Sequence, residues 1–305
     1  NSKDINAFAF YGGHVGVHTG LIMNADNESQ LASVLGHEIA HVTQRHLARR
    51  LQQAKDNQGL TIAGMIAGIL TTMIAPDAGM AILAASQTQA QLSQLTHSRG
   101  AEQEADRVGM QTLNSAGFDP RESSEFLAKL ADQMRHMPKP PAFLLTHPLP
   151  ESRVSDVRLR AEQYPKRQVG SSLDFNLAKS RVLARYDNKP ENAEALFRKL
   201  MRENTYNNVA LQYGLAISLL DQKKTDEAQP ILDKLLADDP KNLFYIDTKT
   251  DLLIAQKKAA KAVSYLSELN NYRPNNQVIT LNYANAALEA EQYELAENTL
   301  KSFLL

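Results

Sequence analysis

Residues 28–47 read ESQLASVLGHEIAHVTQRHL, and this stretch decides the fold around it. Leu31, Val34, Leu35, Ile39 and Val42 recur at steps of three and four, which marks one buried face of a helix starting near Asn27. The helix is expected to run on through His46 and Leu47 toward Gln52. Inside it lies His37-Glu38-Ile39-Ala40-His41, the HExxH pattern. On a helix, His37 and His41 share a face and can bring both imidazoles to one zinc ion. Glu38, turned about 100° away, is placed to take the proton of a water activated there. A carboxylate between Leu35 and Ile39 in an apolar helix needs a partner or a task. On an unbroken helix His46, five residues past His41, points elsewhere. It is set aside as a ligand, as are His14 and His18 in a strand-like region.

Downstream, a second helix is expected over about residues 88–116, stopping at Gly117 with Pro120 just beyond. It carries SRGAEQEAD, residues 98–106, in which Glu102 and Asp106 stand four apart on one face. In that arrangement Glu102 serves as third zinc ligand while Asp106 accepts the N–H of a ligating histidine. On spacing alone, both are equally well read as solvated acids. A third helix over residues 121–134 leads into a loop with Pro138, Pro140, Pro141, Pro148 and Pro150. That loop contains His147, which by itself reads as an ordinary loop residue. Another helix starts at about Glu151, and residues 164–172 look like a domain junction. Upstream, residues 6–10 and 14–22 have strand character, split by Gly12-Gly13 and closed by Gly20.

Beyond Ser172 the chain repeats. Pro240 and Pro274 are 34 residues apart, as are Leu220, Ile254 and Leu288; Ala228, Ala262 and Ala296; and Leu235, Leu269 and Phe303. This is the tetratricopeptide period. The alanines let two helices approach, and the larger residues fill the seams between hairpins. Ala193, Phe197 and Leu200 match Ala228, Leu232 and Leu235 at an offset of 35, an irregular upstream repeat. The expected fold class is α+β and mostly helical: a metalloprotease-like domain with a small sheet over residues 1–168, then an all-α repeat array over residues 172–305.

Composition sets outer limits. Thirty-three Lys+Arg against 34 Asp+Glu leave no basic surplus, which argues against nucleic acid as a partner. The absence of cysteine excludes disulfides, thiolate metal sites and a cysteine nucleophile. Residues 1–10 lack the basic start and apolar run of a signal peptide, so the chain reads as a mature or trimmed product. The run LTIAGMIAGILTTMIA, from Leu60 to Ala75, is uncharged over 16 residues. As a helix it would span about 24 Å, short of the roughly 30 Å hydrocarbon core. It is expected to pack inside the protein or against its active-site face, with peripheral membrane contact as the alternative.

The run NAFAFYGGHVGVHTGLI (residues 6–22), the HEIAH helix and the SRGAEQEAD helix together resemble the HtpX-like metalloprotease family. Within it they are most similar to the periplasmic BepA-type members, which carry C-terminal tetratricopeptide repeats. The resemblance covers nearly the whole chain. It implies a gluzincin-like endopeptidase with one Zn2+ per chain, His37, His41 and Glu102 as ligands and Glu38 as general base. It also gives THPLPESR, residues 146–153, a role: His147 matches a histidine that occupies the remaining zinc position in a resting form. Asn6, Ala7, Phe8, Ala9 and Phe10 match the active-site edge strand, whose free N–H and C=O groups can take up an extended peptide. The implied partners are misassembled outer-membrane proteins and, through the repeats, the outer-membrane assembly machinery. One or more helices ahead of the edge strand are expected to be missing. Two functions fit: a quality-control peptidase, or an assembly chaperone whose proteolysis is secondary.

Overall fold

The computed structural model describes residues 2–52, 55, 66–67, 70–71, 76–136, 143–144, 147–149, 151–187, 189–203 and 207–304. The chain divides into two compact units, Asn1–Ser171 and Ser172–Leu305. The described residues are mostly helical, with a small two-stranded antiparallel sheet followed by an all-helical array.

In the first unit, β1 (Ala7–Phe10) pairs with β2 (His14–Val17) in the register Ala7↔Val17, Phe8↔Gly16, Ala9↔Val15, Phe10↔His14. Gly12 and Gly13 make the connecting turn at φ of 82° and 80°, a backbone region open to glycine at no steric cost. The Phe8 ring lies over Gly16, where an added Cβ would come within 2.6 Å of it. The second strand is shorter than its sequence suggests, because Thr19–Asn24 forms a helix, α1. Packing overrides strand propensity there. An added Cβ on Gly20 would collide with the Lys3 and Asp4 carbonyl oxygens, and Thr19 Oγ1 donates to Ser2 O at 2.7 Å.

Helix α2 (Glu28–Thr43) begins at Asn27, whose side chain accepts from the Gln30 N–H at 2.9 Å, a standard N-cap. Its buried side differs from the expected apolar stripe. Val34, Gly36, His37, Glu38 and Ala40 point inward, whereas Ile39 is 43% exposed. The helix also ends earlier than expected. Arg45 adopts φ of 54°, and helical backbone resumes only at His46.

Helix α3 (Pro76–Ser115) starts twelve residues ahead of the expected Thr88 and stops before Gly117 at φ of 89°. It packs against α2 at a glycine pair. A Cβ on Gly109 would lie 2.9 Å from His37 N, and one on Gly36 would lie 3.0 Å from Gly109 O. Small residues at a crossing let two backbones approach, and here the approach brings the histidines of α2 alongside the carboxylates of α3. Helices α4 (Arg121–His136) and α5 (Glu151–Ala161) complete a core that includes Leu21, Val34, Met110, Phe126, Leu130 and Val157. Of the apolar run from Leu60 to Ala75, only residues 66, 67, 70 and 71 are described, so its expected packing lies outside the described residues. Among the described residues, no helix is long and apolar enough to cross a membrane.

Among the described residues, the second unit stacks four helical hairpins. The first is α6 (Leu173–Val182), closed by a π-helical turn over Leu183–Asp187, with α7 (Pro190–Glu203). Next come α8 (Asn208–Asp221) with α9 (Thr225–Asp238), and α10 (Leu243–Ala255) with α11 (Ala259–Tyr272). The last pair is α12 (Gln277–Glu289) with α13 (Tyr293–Leu304). The crossing-point alanines Ala193, Ala228, Ala262 and Ala296 are all buried. Phe197 sits over Gly214, which has no room for a Cβ beneath the ring. Asn207, Asn242 and Asn276 cap the first helices of the last three hairpins. Leu288, expected in a seam, is instead 52% exposed.

Candidate metal centre

Four side chains from three parts of the first unit converge on one point. His37 and His41 come from α2, Glu102 from α3, and His147 from the segment ahead of α5; their candidate ligand atoms all lie within 4.8 Å of one another. His37 Nε2 and His41 Nε2 are 3.0 Å apart. Glu102 carboxylate oxygens lie 3.3 Å from each of those nitrogens. His147 Nδ1 is 3.3 Å from His37 Nε2 and 3.1 Å from both Glu102 oxygens.

These spacings fit a small cation. Donors at zinc bonding distances of about 2.0–2.1 Å on the corners of a tetrahedron stand about 3.3 Å apart. The set, three imidazoles and one carboxylate, is also the borderline-hard kind that zinc takes.

Burial and charge tune each donor. Desolvation opposes ionisation of Glu102, but hydrogen bonds from His147, His37 and His41 outweigh it and hold the carboxyl well below the usual carboxylate range. Desolvation likewise pushes His37 down, yet Asp106 and Glu102 raise it to about 9. For His41 burial wins, and its pKa falls below the ordinary histidine value. In the absence of a cation, the cluster therefore keeps a proton on His37, which a metal must displace.

Asp106 Oδ1 stands 2.9 Å from His37 Nδ1, oblique to the ring N–H. From there it favours the tautomer that leaves Nε2 free to face the other donors. Glu38 is almost fully buried; its Oε1 makes no hydrogen bond among the described residues and lies 3.3 Å from His147 Nε2. A buried carboxylate oxygen left this way is costly unless a water or substrate group completes it.

Two contributors escaped the sequence reading. Arg153 is buried and donates through Nε and Nη2 to the two Asp106 oxygens at 2.7 and 2.8 Å. Its Nη1 reaches Glu102 Oε2 at 2.9 Å and Pro148 O at 3.0 Å. Burial pushes Asp106 up, but this guanidinium and His37 hold it down at about 2. The spacing of Glu102 and Asp106 does not show that both are buried, and only that burial calls for a buried cation. The second contributor is His46. The break at Arg45 swings it back, so that its Nδ1 lies 2.8 Å from His41 Nδ1, contrary to the expectation that it points elsewhere.

A cleft of about 420 Å³ opens onto the centre, bounded by Phe8, Ala9 and Phe10 of β1, Val42 and Leu51, and ending on Glu38, His41, Glu102 and His147. Among the described residues β1 pairs only with β2, so its other edge is open. Asn6 lies one residue before the strand and accepts from His18 N at 3.0 Å.

Comparison with known proteins agrees with this arrangement. The model of peptidase family M48 matches residues 1–161. A tetratricopeptide repeat model matches residues 184–247 and 253–304. The beta-barrel assembly-enhancing protease of Yersinia pestis is 45% identical over 96% of this chain and 60% of its own length. The protein of that name from Escherichia coli K12 is 43% identical over 99% of this chain and 62% of its own. The mitochondrial metalloendopeptidase OMA1 of Bos taurus is 39% identical over 48% of this chain and 29% of its own length. The chain thus spans about three fifths of the length of the assembly-enhancing proteases it matches.

Proposed function

The chain belongs to peptidase family M48, and from that premise we propose that it is a zinc-dependent endopeptidase acting in the quality control and assembly of outer-membrane β-barrel proteins in the periplasm. The observation that carries this reading is the cluster of four donors within 4.8 Å of one another, with a buried Glu38 oxygen beside it that makes no hydrogen bond among the described residues. His37, His41 and Glu102 would hold zinc, which when bound supplies a Lewis acid at the point on which they converge. Asp106 orients His37, and Arg153 holds Asp106 and Glu102 in place. Glu38 acts as general base, taking a proton from the attacking water and passing it to the leaving amine. The open edge of β1 binds the substrate as an added strand, which sets the peptide across the cleft.

His147 makes the resting site closed. It stands among the ligands through Nδ1 and faces Glu38 through Nε2, in the space a nucleophilic water needs. A tethered imidazole has a high local concentration and competes well with water. Substrate engagement must move it before turnover. The same feature favours an assembly chaperone whose proteolysis is normally shut off as the second reading.

The substrate class and compartment rest on relatives named for enhancing β-barrel assembly. The repeats supply contacts to the assembly machinery, in keeping with the concave surfaces such arrays present to proteins. Glu38→Gln tests the chemistry: it should hold zinc at the parent's affinity and lose hydrolysis of a denatured β-barrel protein by at least 100-fold, on the order of a general base's contribution. Undiminished turnover would remove Glu38 from the role. Equal zinc content in the parent and in a His37→Ala, His41→Ala double variant would remove the metal assignment.

A further inference from the structure

We infer that His46 is a positioning residue for the metal centre: it accepts the Nδ1 proton of His41 and passes the orientation to Glu104 and Arg49 on the protein surface. The inference rests on the zinc reading above for the identity of the cation.

The proton positions follow from one requirement. His41 turns Nε2 toward His37 and Glu102, so that nitrogen must keep its lone pair for a cation. The ring proton of neutral His41 is then on Nδ1. Facing it at 2.8 Å is His46 Nδ1. Two ring nitrogens this close share one proton, so His46 Nδ1 is the acceptor and the His46 proton is on Nε2. His46 Nε2 lies 3.1 Å from Glu104 Oε2, which can only accept when ionised. Arg49 Nη2 donates to the same oxygen at 2.6 Å and holds it there. Every donor in the series meets an acceptor: His41 N–H to His46, His46 N–H to Glu104, and Arg49 N–H to Glu104. No other tautomer of His46 satisfies both neighbours.

The backbone is arranged to make this contact. On a straight helix, residue 46 would lie about 140° around the axis from residue 41. The chain instead leaves α2 after Thr43 and takes Arg45 through the left-handed region at φ of 54°. That conformation is unfavourable for a non-glycine residue and persists where surrounding contacts impose it. Its effect is to place the buried His46 ring edge-on to His41, with centroids 4.8 Å apart and planes at 81°.

The two ligating histidines are therefore held differently. His37 has an anion, Asp106, at Nδ1, whereas His41 has a neutral imidazole whose own proton goes to Glu104. Partners of this kind fix ring orientation, and losing one typically costs roughly 10–100-fold in metal affinity. Since His46 touches neither the four donors' common point nor Glu38, its contribution passes through His41.

The test uses the full chain loaded with zinc and a chelator competition that reads affinity without reference to activity. His46→Phe keeps the ring and removes the acceptor; its zinc affinity should fall roughly 10–100-fold. His46→Asn places an amide oxygen near the former Nδ1 and should recover a large part of that loss. In parallel, 15N-histidine spectra of the zinc-loaded parent should show His46 protonated on Nε2 and bare on Nδ1, with His41 protonated on Nδ1. This readout needs no variant and no assumption about folding. Parent-like zinc affinity in His46→Phe, an Asn variant no better than Phe, or a His46 protonated on Nδ1 would overturn the assignment. A parent that binds no zinc would instead overturn the zinc reading, and the relay with it.

Discussion

The ring of Phe143 lies stacked on that of His147, with centroids 4.5 Å apart and planes 24° from parallel. The backbone reinforces the stack. His147 N donates to Phe143 O at 2.8 Å, and Phe143 N donates to Ile5 O at 3.0 Å, just ahead of the open strand β1. His147 is thus held by a residue that is itself tied to the chain just ahead of β1.

Loosening that stack should free His147 without touching a ligand. Phe143→Leu keeps an apolar side chain in a buried place and should cost about 1–2 kcal/mol of stability. Initial cleavage rates of a denatured β-barrel protein at saturating zinc should rise a few-fold, and His147→Ala should raise them further. Were both variants slower than the parent, His147 would be assisting the reaction through substrate or oxyanion contacts, and the closed-site reading would fail.

Arg153 neutralises two carboxylates at once, so replacing it leaves buried charge behind. Arg153→Met should lower the stability of zinc-free protein by about 3–5 kcal/mol, the usual cost of removing one partner of a buried pair. Lysine cannot reproduce the planar fork that binds both Asp106 oxygens, so Arg153→Lys should recover little. Added zinc should restore part of the loss by compensating Glu102. Urea titrations with and without zinc read all three quantities; a loss below about 1 kcal/mol for the methionine variant would mean that the carboxylates are held by something else.

Much of this site was legible before any coordinates. The four-residue spacings of His37 with His41 and of Glu102 with Asp106 state which side chains share a helix face, and short-range geometry needs only the helical rise. Spacing could not state that α2 and α3 meet, because that depends on Gly36 and Gly109 touching across 73 residues. His147 was marked by family resemblance, as the proline-rich run has no periodicity to read. Arg153 carries no mark of its own in the sequence, since an arginine becomes informative only once two acids are known to be buried beside it. On an unbroken helix His46 points away from His41, and one left-handed residue at Arg45 breaks that helix and turns it back. Ile39 was misplaced for a related reason: α2 turns its functional and small residues inward, so the apolar stripe does not map onto the buried side. In the second unit, the 34-residue offset reported the hairpins because each repeat packs mainly against its neighbours, and local order dominates.

The glycine contact between α2 and α3 gives a direct test of how the site is assembled. Gly109→Ala puts a Cβ 2.9 Å from His37 N, against backbone that cannot rotate away. The helices must separate by a few tenths of an ångström, at a cost of about 1–3 kcal/mol. Because His37 is the residue displaced, zinc affinity should fall along with stability. A distant core change of equal cost, such as Leu130→Val, should lower stability and leave zinc affinity at the parent's value. If the two variants bind zinc equally well, the glycine pair positions nothing beyond the general fold.

A last prediction concerns the repeat array and one turn that recurs in it. Lys223, Lys257 and Glu291, each 34 residues from the next, all adopt left-handed backbone with φ of 64°, 59° and 60°. Each ends the first helix of its hairpin. Lys223 N donates to Leu220 O and Lys224 N to Leu219 O; Lys257 and Lys258 repeat this with Ile254 and Leu253, and Glu291 and Gln292 with Leu288 and Ala287. These paired bonds are a Schellman cap, whose left-handed position glycine fills most cheaply. All three side chains are exposed, so little packing is lost on removing them. A non-glycine residue there costs about 1–2 kcal/mol, and glycine gives back roughly 0.5–1 kcal/mol through its freer unfolded chain. Lys257→Gly should therefore stabilise the array by about 0.5–1 kcal/mol, read as a higher urea midpoint in helical circular dichroism of the full chain, and the triple substitution should move it further in the same direction. A lower midpoint would mean that the lysine side chain contributes more to the turn than its exposure suggests.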